Sequence, residues 1–278
     1  MRNKPQLIPW ILAFAITGVA VVLRFVQLLL FTDGSTWRVT AGGVPLTYGL
    51  YALLLCAGVC CVVCALRQDH TAVAVAVDGS HRPLAAAAYL LSVAFFFDFI
   101  YRCFLCYDLA DSSAYLQWND LVSEVLTALF ALFSCSYYFV VGRSYGGGRY
   151  DFRAFRFFHF VPALWGLCRL LTILAKMVSV WADAQTVCEV LFLVALLLFL
   201  FSFATAVVTS RNAGRAVVFF GLLTFVFGCA LALPQLLVLC TGRHRVLDGS
   251  VYFGPADLLL GVFALVFVQD LRRRSAAE

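Results

Sequence analysis

Charged residues are scarce in this sequence. Asp, Glu, Lys and Arg make up 13% of its 278 residues, whereas a soluble domain of ordinary composition carries about 25%. Hydrophobic residues account for 63%, and the mean hydropathy is +0.95. These values exclude an ordinary soluble domain. Because the polar connectors between the apolar runs are short, we predict a single polytopic membrane domain over residues 1–278.

Catalytic and cofactor motifs are missing as well. The sequence has no H-E-x-x-H, G-x-S-x-G or P-loop pattern, each of which would place reactive groups at a fixed spacing. Cys56, Cys60 and Cys64 form an i, i+4, i+8 stripe in an apolar segment, and small residues in such a stripe favour close helix packing over metal binding. We therefore predict no cofactor and no metal, and we leave open whether the protein is an enzyme.

What the sequence has instead is a series of apolar runs of about 20 residues, each long enough to cross about 30 Å of hydrocarbon. Backbone groups in lipid must be satisfied within their own segment, so each run should be a helix. The predicted fold class is an all-α integral membrane protein, a bundle of eight transmembrane helices. The predicted spans cover residues 8–31, 45–66, 83–105, 120–141, 157–180, 186–209, 215–240 and 255–271.

Basic residues are distributed unevenly over the connectors. If the N-terminus is cytoplasmic, the inside segments hold 13 of the 20 Lys and Arg residues and the outside loops hold three. Basic residues concentrate on the cytoplasmic side of membrane proteins, so we expect a multi-pass protein of the cell (plasma) membrane with both termini cytoplasmic. The net charge of +5 reflects this topology and implies no nucleic-acid partner. The expected partner is the lipid bilayer, and the oligomeric state is left open.

A few charged residues lie inside the predicted spans, where a charge costs a few kcal/mol or more. Asp98 and Arg102 are four residues apart in "FFFDFIYRCF", with the acid before the base, which is the favourable order on one helical face. Arg102 could instead extend to the headgroups. Arg169 lies about 12 residues into its span and needs a buried partner. Glu124 and Glu189 lie early in their spans, where the helix dipole also favours an acid.

The bases and acids recur at similar spacing. Arg102 and Arg169 are 67 residues apart, and the acids that follow them are 65 apart. A further shift of 66 to 68 residues reaches Gln235 and Asp257. This spacing favours repeated helical hairpins. Chance similarity between apolar segments is the alternative, and Asp257 is explained equally well as an acid in the first turn of a helix.

The leading hypothesis is small-solute binding or transport through a polar site in the outer half of the bundle. The expected ligand-binding residues are Arg102, Glu124, Arg169 and Glu189, with Asp98 holding Arg102. Arginines bind anionic groups through paired hydrogen bonds, so a small anionic solute is the expected partner, while the acids balance the arginines or carry a coupling proton. We expect a ligand or waters to bridge Arg169 and Glu189, because these residues differ in height, whereas a direct contact between them would indicate a structural clasp.

Two alternative functions remain open. The first is an intramembrane enzyme that acts on lipid headgroups and uses the buried acids for proton transfer. The second is a structural or accessory subunit whose charges match those of a partner helix. The three functions predict different surroundings for the charges. Transport predicts a path from the charges to water, an enzyme predicts an opening to lipid, and an accessory subunit predicts charges on the lipid-facing surface.

Overall fold

The computed structural model describes residues 4–33, 39–67, 81–111, 118–147, 157–177, 184–209, 214–241 and 255–275. Within these ranges the chain forms eight α-helices and no β-strand, which confirms the predicted all-α class. The helices are α1 (Lys4–Leu30), α2 (Val44–Leu66), α3 (Arg82–Asp111), α4 (Trp118–Tyr145), α5 (Val161–Met177), α6 (Ala184–Thr209), α7 (Gly214–Cys240) and α8 (Pro255–Ser275). Several loop arginines on which the predicted orientation depends lie outside the described ranges, so the orientation stays a prediction.

Seven of the eight described helices, α1 to α7, are long and apolar enough to cross a membrane. The chain is therefore a multi-pass membrane protein. The remaining helix, α8, has Asp257 in its first turn, and Asp270 and several arginines follow towards its C-terminal end. These charges lower its hydropathy, and its role as an eighth span stays a prediction.

The helices α3 to α8 form a closed ring. Each of them packs against the next helix along the chain, and α8 packs back against α3. The remaining two helices, α1 and α2, pack against each other and against α7. We call α3 to α8 the six-helix ring. Its interior is filled by aromatic side chains, with Phe95 in contact with both Tyr138 and Trp165, and with Phe263 against Tyr138.

The two ends of the ring can be told apart by a contact between its helices. His81, just before α3, donates its backbone N–H to the carbonyl oxygen of Tyr145 at the end of α4, at 2.8 Å. The His81 Nδ1 atom also lies 3.1 Å from Asp270 Oδ1 of α8. We call this end, where α3 begins and α8 ends, the near end. The opposite end, the far end, corresponds to the predicted outer face.

Glycines allow α7 and α8 to approach closely. A Cβ atom on Gly261 would lie 3.4 Å from the Cα atom of Phe225 and 3.5 Å from the carbonyl oxygen of Thr224. A Cβ atom on Gly221 would meet Val268 Cγ2 at 2.7 Å, which is too close without a shift. Small residues at helix contacts permit this spacing in membrane proteins.

Large apolar side chains cover much of the surface of the bundle. Val22, Leu55, Leu66, Phe104 and Tyr107 are each more than 60% exposed. On a soluble protein, contiguous apolar surface of this kind marks an interaction site or an aggregation risk. On helices of membrane-spanning length, it is the surface that contacts lipid.

Candidate functional site

Arg102 lies in the C-terminal half of α3 between two carboxylates. Its Nε atom donates to Asp98 Oδ2 at 3.0 Å, and its Nη1 atom donates to Glu124 Oε2 at 2.6 Å. The first bond follows from the i, i+4 spacing on α3, and the second joins α3 to α4. Arg102 is 4% exposed, so it is buried with its acids, and the alternative that it extends to the headgroups is wrong.

Arg169 of α5 also lies between two carboxylates. Its Nη1 atom donates to Asp257 Oδ1 of α8 at 2.5 Å, and its Nη2 atom donates to Glu189 Oε1 of α6 at 2.9 Å. All three residues are buried, with 5% to 6% of each exposed. This one guanidinium therefore ties three helices of the ring together in its interior.

Trp165 connects the two arginine sites. It lies one turn before Arg169 on α5 and is 0% exposed. Its indole Nε1 donates to Asp98 Oδ2 at 2.9 Å, so one carboxylate oxygen accepts bonds from both Arg102 and Trp165. The Arg169 Cζ atom lies 5.0 Å from the centre of the Trp165 ring, within the range of a cation–π interaction. Trp165 therefore contacts an acid of one arginine site and the guanidinium of the other.

The six charged residues of this network form a group that we call the charged cluster. It consists of Asp98, Arg102, Glu124, Arg169, Glu189 and Asp257. The cluster contains four acids and two bases, so with every group ionised it carries two excess negative charges. An uncompensated charge in a membrane interior is costly.

Glu189 contacts Arg169 directly, in contrast to the ligand or waters expected between them. An α-helix rises about 1.5 Å per residue, so residues one turn apart in height are separated by about 5 Å. The long side chain of arginine spans such a distance while its stem stays on apolar surface. The bond of 2.9 Å replaces the expected gap, and α5 and α6 pack against each other.

All five predicted site residues lie in the charged cluster, and two further residues, Asp257 and Trp165, were not among the predicted site residues. Asp257 is in the first turn of α8, where the helix dipole favours an acid, and it also accepts a hydrogen bond from Arg169. The repeat spacing had pointed to this position. Trp165 gave no signal, because a tryptophan in an apolar helix has no distinguishing pattern until its indole N–H meets an acid.

Three helical hairpins are closed by a polar bond at similar spacing. The bonded residues are 22 apart in the hairpin of α3 and α4, and 20 apart in the hairpin of α5 and α6. In the hairpin of α1 and α2, Gln27 Nε2 donates to Thr47 Oγ1 at 2.5 Å, also 20 residues away. Arg24 in turn donates to Gln27 Oε1 at 2.5 Å. Residues about 20 apart meet across any short connector between antiparallel helices, and Asp257 bonds Arg169 of α5, so the hairpin repeat stays a prediction.

No protein-family model, curated protein or solved structure matches the chain. The function therefore has to be inferred from the geometry of the charged cluster. Three properties bear on it: the cluster lies inside the six-helix ring, its residues are nearly all shielded from the surroundings, and its acids outnumber its bases.

Proposed function

We propose that the protein is a proton-coupled transporter of a small solute with an anionic group, in the plasma membrane and with both termini cytoplasmic. The observation that carries this proposal is that Arg102 and Arg169, both buried in the six-helix ring, are each bonded to two carboxylates. With two more acids than bases, the cluster can bind protons while both arginines keep a negatively charged partner. Intramembrane chains of ionisable residues are typical of proton-coupled pumps and transporters.

The acid excess suggests how proton and solute binding are coupled. A proton that binds to Glu189 or Asp257 neutralises that acid and weakens its bond with Arg169. The released N–H groups of Arg169 then donate to an anionic group of the solute, for which guanidinium geometry is well suited. Solute and proton therefore bind together, and each favours the binding of the other, as linkage requires.

The position of the cluster also supports transport. It takes side chains from five of the six ring helices, and only Glu124 has more than one tenth of its side chain exposed. Because the charges face the ring interior, they do not match the lipid-facing charges expected of an accessory subunit. The structure represents a closed conformation in this proposal, and relative movement of the ring helices would open the cluster to one side at a time.

Ligand-dependent thermal stability is the first test. The purified protein in nanodiscs is heated with acetate, lactate or succinate at pH 5.5 and at pH 8. Ligand binding to the folded state raises the free energy of unfolding by about 2.7 kcal/mol at a hundredfold excess over Kd. We expect stabilisation by at least one carboxylate, larger at pH 5.5, because protonation releases arginine N–H groups.

Two matched variants make this test specific. Arg169→Gln should abolish the stabilisation by carboxylates. Arg24→Gln replaces a buried arginine on α1, outside the six-helix ring, and should retain the stabilisation. A positive ligand is then tested for uptake into proteoliposomes together with protons. Stabilisation by amines such as putrescine in place of carboxylates would contradict the anionic solute, and stabilisation by neither class would contradict the transport proposal.

A structural role of the cluster is the second candidate. The specific observation in its favour is that the arginine–carboxylate contacts are direct, at 2.5 to 3.0 Å. Buried ion pairs often fix helix packing without any further function. In that case neither carboxylates nor amines stabilise the protein, and proteoliposomes show no proton-coupled uptake.

A further inference from the structure

Two buried hydroxyl groups lie on the inner face of α4 without a bonding partner. Ser134 is 0% exposed and Tyr138 is 1% exposed. In the part of the chain that the structure describes, neither hydroxyl forms a hydrogen bond. The two residues are four positions apart, so they share one helical face. Buried polar side chains are bonded in the large majority of cases, and two unbonded hydroxyls on one face therefore require an explanation.

Both hydroxyls lie on the near side of the charged cluster. Helical Cα–Cβ bonds tilt towards the N-terminus of the helix, and α4 begins at the far end, so the Tyr138 side chain leans towards Glu124. Its ring stacks on Phe95 with centroids 5.5 Å apart, and Phe95 lies edge-on to Trp165 at 4.9 Å. The Tyr138 ring is therefore one aromatic layer away from the tryptophan that bonds Asp98.

A second polar pair lies further towards the near end. The Tyr137 hydroxyl lies 3.0 Å from His159 Nδ1, and both residues are 3% exposed. Tyr137 follows Ser134 by one turn on α4, and its ring contacts that of Tyr138 at 5.0 Å. Imidazole takes up and releases protons in the physiological pH range, and His159 immediately precedes α5.

We propose that Ser134, Tyr138, Tyr137 and His159 form a proton path between the charged cluster and the near end of the six-helix ring. This inference rests on the proposed proton coupling, and it assigns the direction in which the cluster exchanges its protons. The groups that exchange are the acids of the cluster: Asp98 on α3, Glu124 on α4, Glu189 on α6 and Asp257 on α8. Arg102 and Arg169 face them from α3 and α5.

Each transfer along this path balances. A protonated acid of the cluster gives up its proton and becomes a carboxylate. The proton passes through water to one hydroxyl, which releases its own proton on the other side, so that the hydroxyl stays neutral. The His159 imidazole accepts the proton and later releases it at the near end. No oxidant, reductant or other co-reactant is needed.

The test measures how quickly protons reach the cluster from the near end. The C-terminus follows α8, whose Asp270 lies beside His81 at the near end, so vesicles captured by a C-terminal tag expose that end. The outside solution is switched from pH 8 to pH 5.5 in a stopped-flow instrument. The signal is tryptophan fluorescence that is absent in Trp165→Phe, because the Trp165 indole bonds an acid of the cluster.

We expect a fast response in the unmodified protein and a response at least tenfold slower in Tyr138→Phe and in Ser134→Ala. Both variants should keep the melting temperature or raise it, because each loses an unbonded buried hydroxyl. Thr224→Val is the matched control. It removes a fully buried hydroxyl on α7, one that bonds the Phe220 carbonyl oxygen at 2.7 Å, and it should leave the rate unchanged.

Three results would overturn the proposal, and they separate it from the proposed function. If Tyr138→Phe and Ser134→Ala respond as fast as the unmodified protein, the hydroxyls carry no protons. If the unmodified protein responds only when the vesicle interior is acidified too, the protons reach the cluster from the far end, and the proposed transport stands without this path. If it responds in neither case, the cluster exchanges no protons, and the proposed coupling is lost as well.

Discussion

Replacement of Arg169 by Met should reveal the excess of acids in the charged cluster. Arg169 is 5% exposed and holds Glu189 and Asp257 by bonds of 2.9 and 2.5 Å. Met keeps an apolar stem but donates no hydrogen bond, so two carboxylates from α6 and α8 remain without their common partner. Loss of one partner of a buried ion pair costs about 3–5 kcal/mol. For a chain of this size, the melting temperature should fall by about 6–20 °C.

The loss of stability should increase with pH. Without Arg169, the folded variant keeps its two buried carboxyl groups neutral by holding protons that the unfolded chain releases near neutral pH. The folded state then binds more protons than the unfolded state, so stability falls as pH rises. The slope is at most about 1.36 kcal/mol per pH unit for each extra proton, so each of these protons lowers stability by at most about 2.7 kcal/mol between pH 6 and pH 8.

Thermal unfolding in nanodiscs at pH 6 and pH 8 measures both effects. The matched control is the triple variant Arg169→Met, Glu189→Gln, Asp257→Asn, which removes the acids together with the base. It should recover much of the stability and lose the additional dependence on pH. An Arg169→Met protein that melts at the wild-type temperature at pH 8, or that loses equal stability at both pH values, would show that these three residues do not act as one ionic group.

Two further predictions concern contacts between helices, and a third concerns the topology. Arg102→Gln should cost about 3–5 kcal/mol, and the double variant with Glu124→Gln should recover part of it; additive effects in this double-mutant cycle would mean that the two residues do not interact. Gly221→Ala should lower the melting temperature, because its Cβ atom would meet Val268 Cγ2 at 2.7 Å, and a second change, Val268→Ala, should restore it. A reporter fused to Glu278 should be found in the cytoplasm, and an external reporter would contradict the eight-span topology.

The helices could be predicted from the sequence because lipid restricts the choices. Uninterrupted apolar runs must satisfy their backbone groups internally, so run length and composition alone place the elements. The predicted span 83–105 corresponds to α3, Arg82–Asp111, and the span 186–209 corresponds to α6, Ala184–Thr209. The ends of the helices are less predictable, since the polar turns that continue α3 beyond residue 105 carry no apolar signal.

Part of the charged cluster was predictable for the same reason. A charge in an apolar run is costly, so each one needs a partner, and the i, i+4 spacing identified Asp98 as a partner of Arg102. The spacing of the hairpins likewise associated Arg102 with Glu124 and Arg169 with Glu189, since residues about 20 apart meet across a short connector. The local periodicity and the positions of charges within apolar runs can both be read from the sequence alone.

Only the tertiary structure decided which distant helices meet. The closure of the ring by α3 and α8, the bond of Arg169 to Asp257 across 88 residues, and the bond of Trp165 to Asp98 across 67 residues have no counterpart in local pattern. The helices are apolar on nearly every face, so hydrophobicity does not select their neighbours. That selection comes from shape, from the glycines that let α7 approach α8, and from the few polar side chains that must find one another.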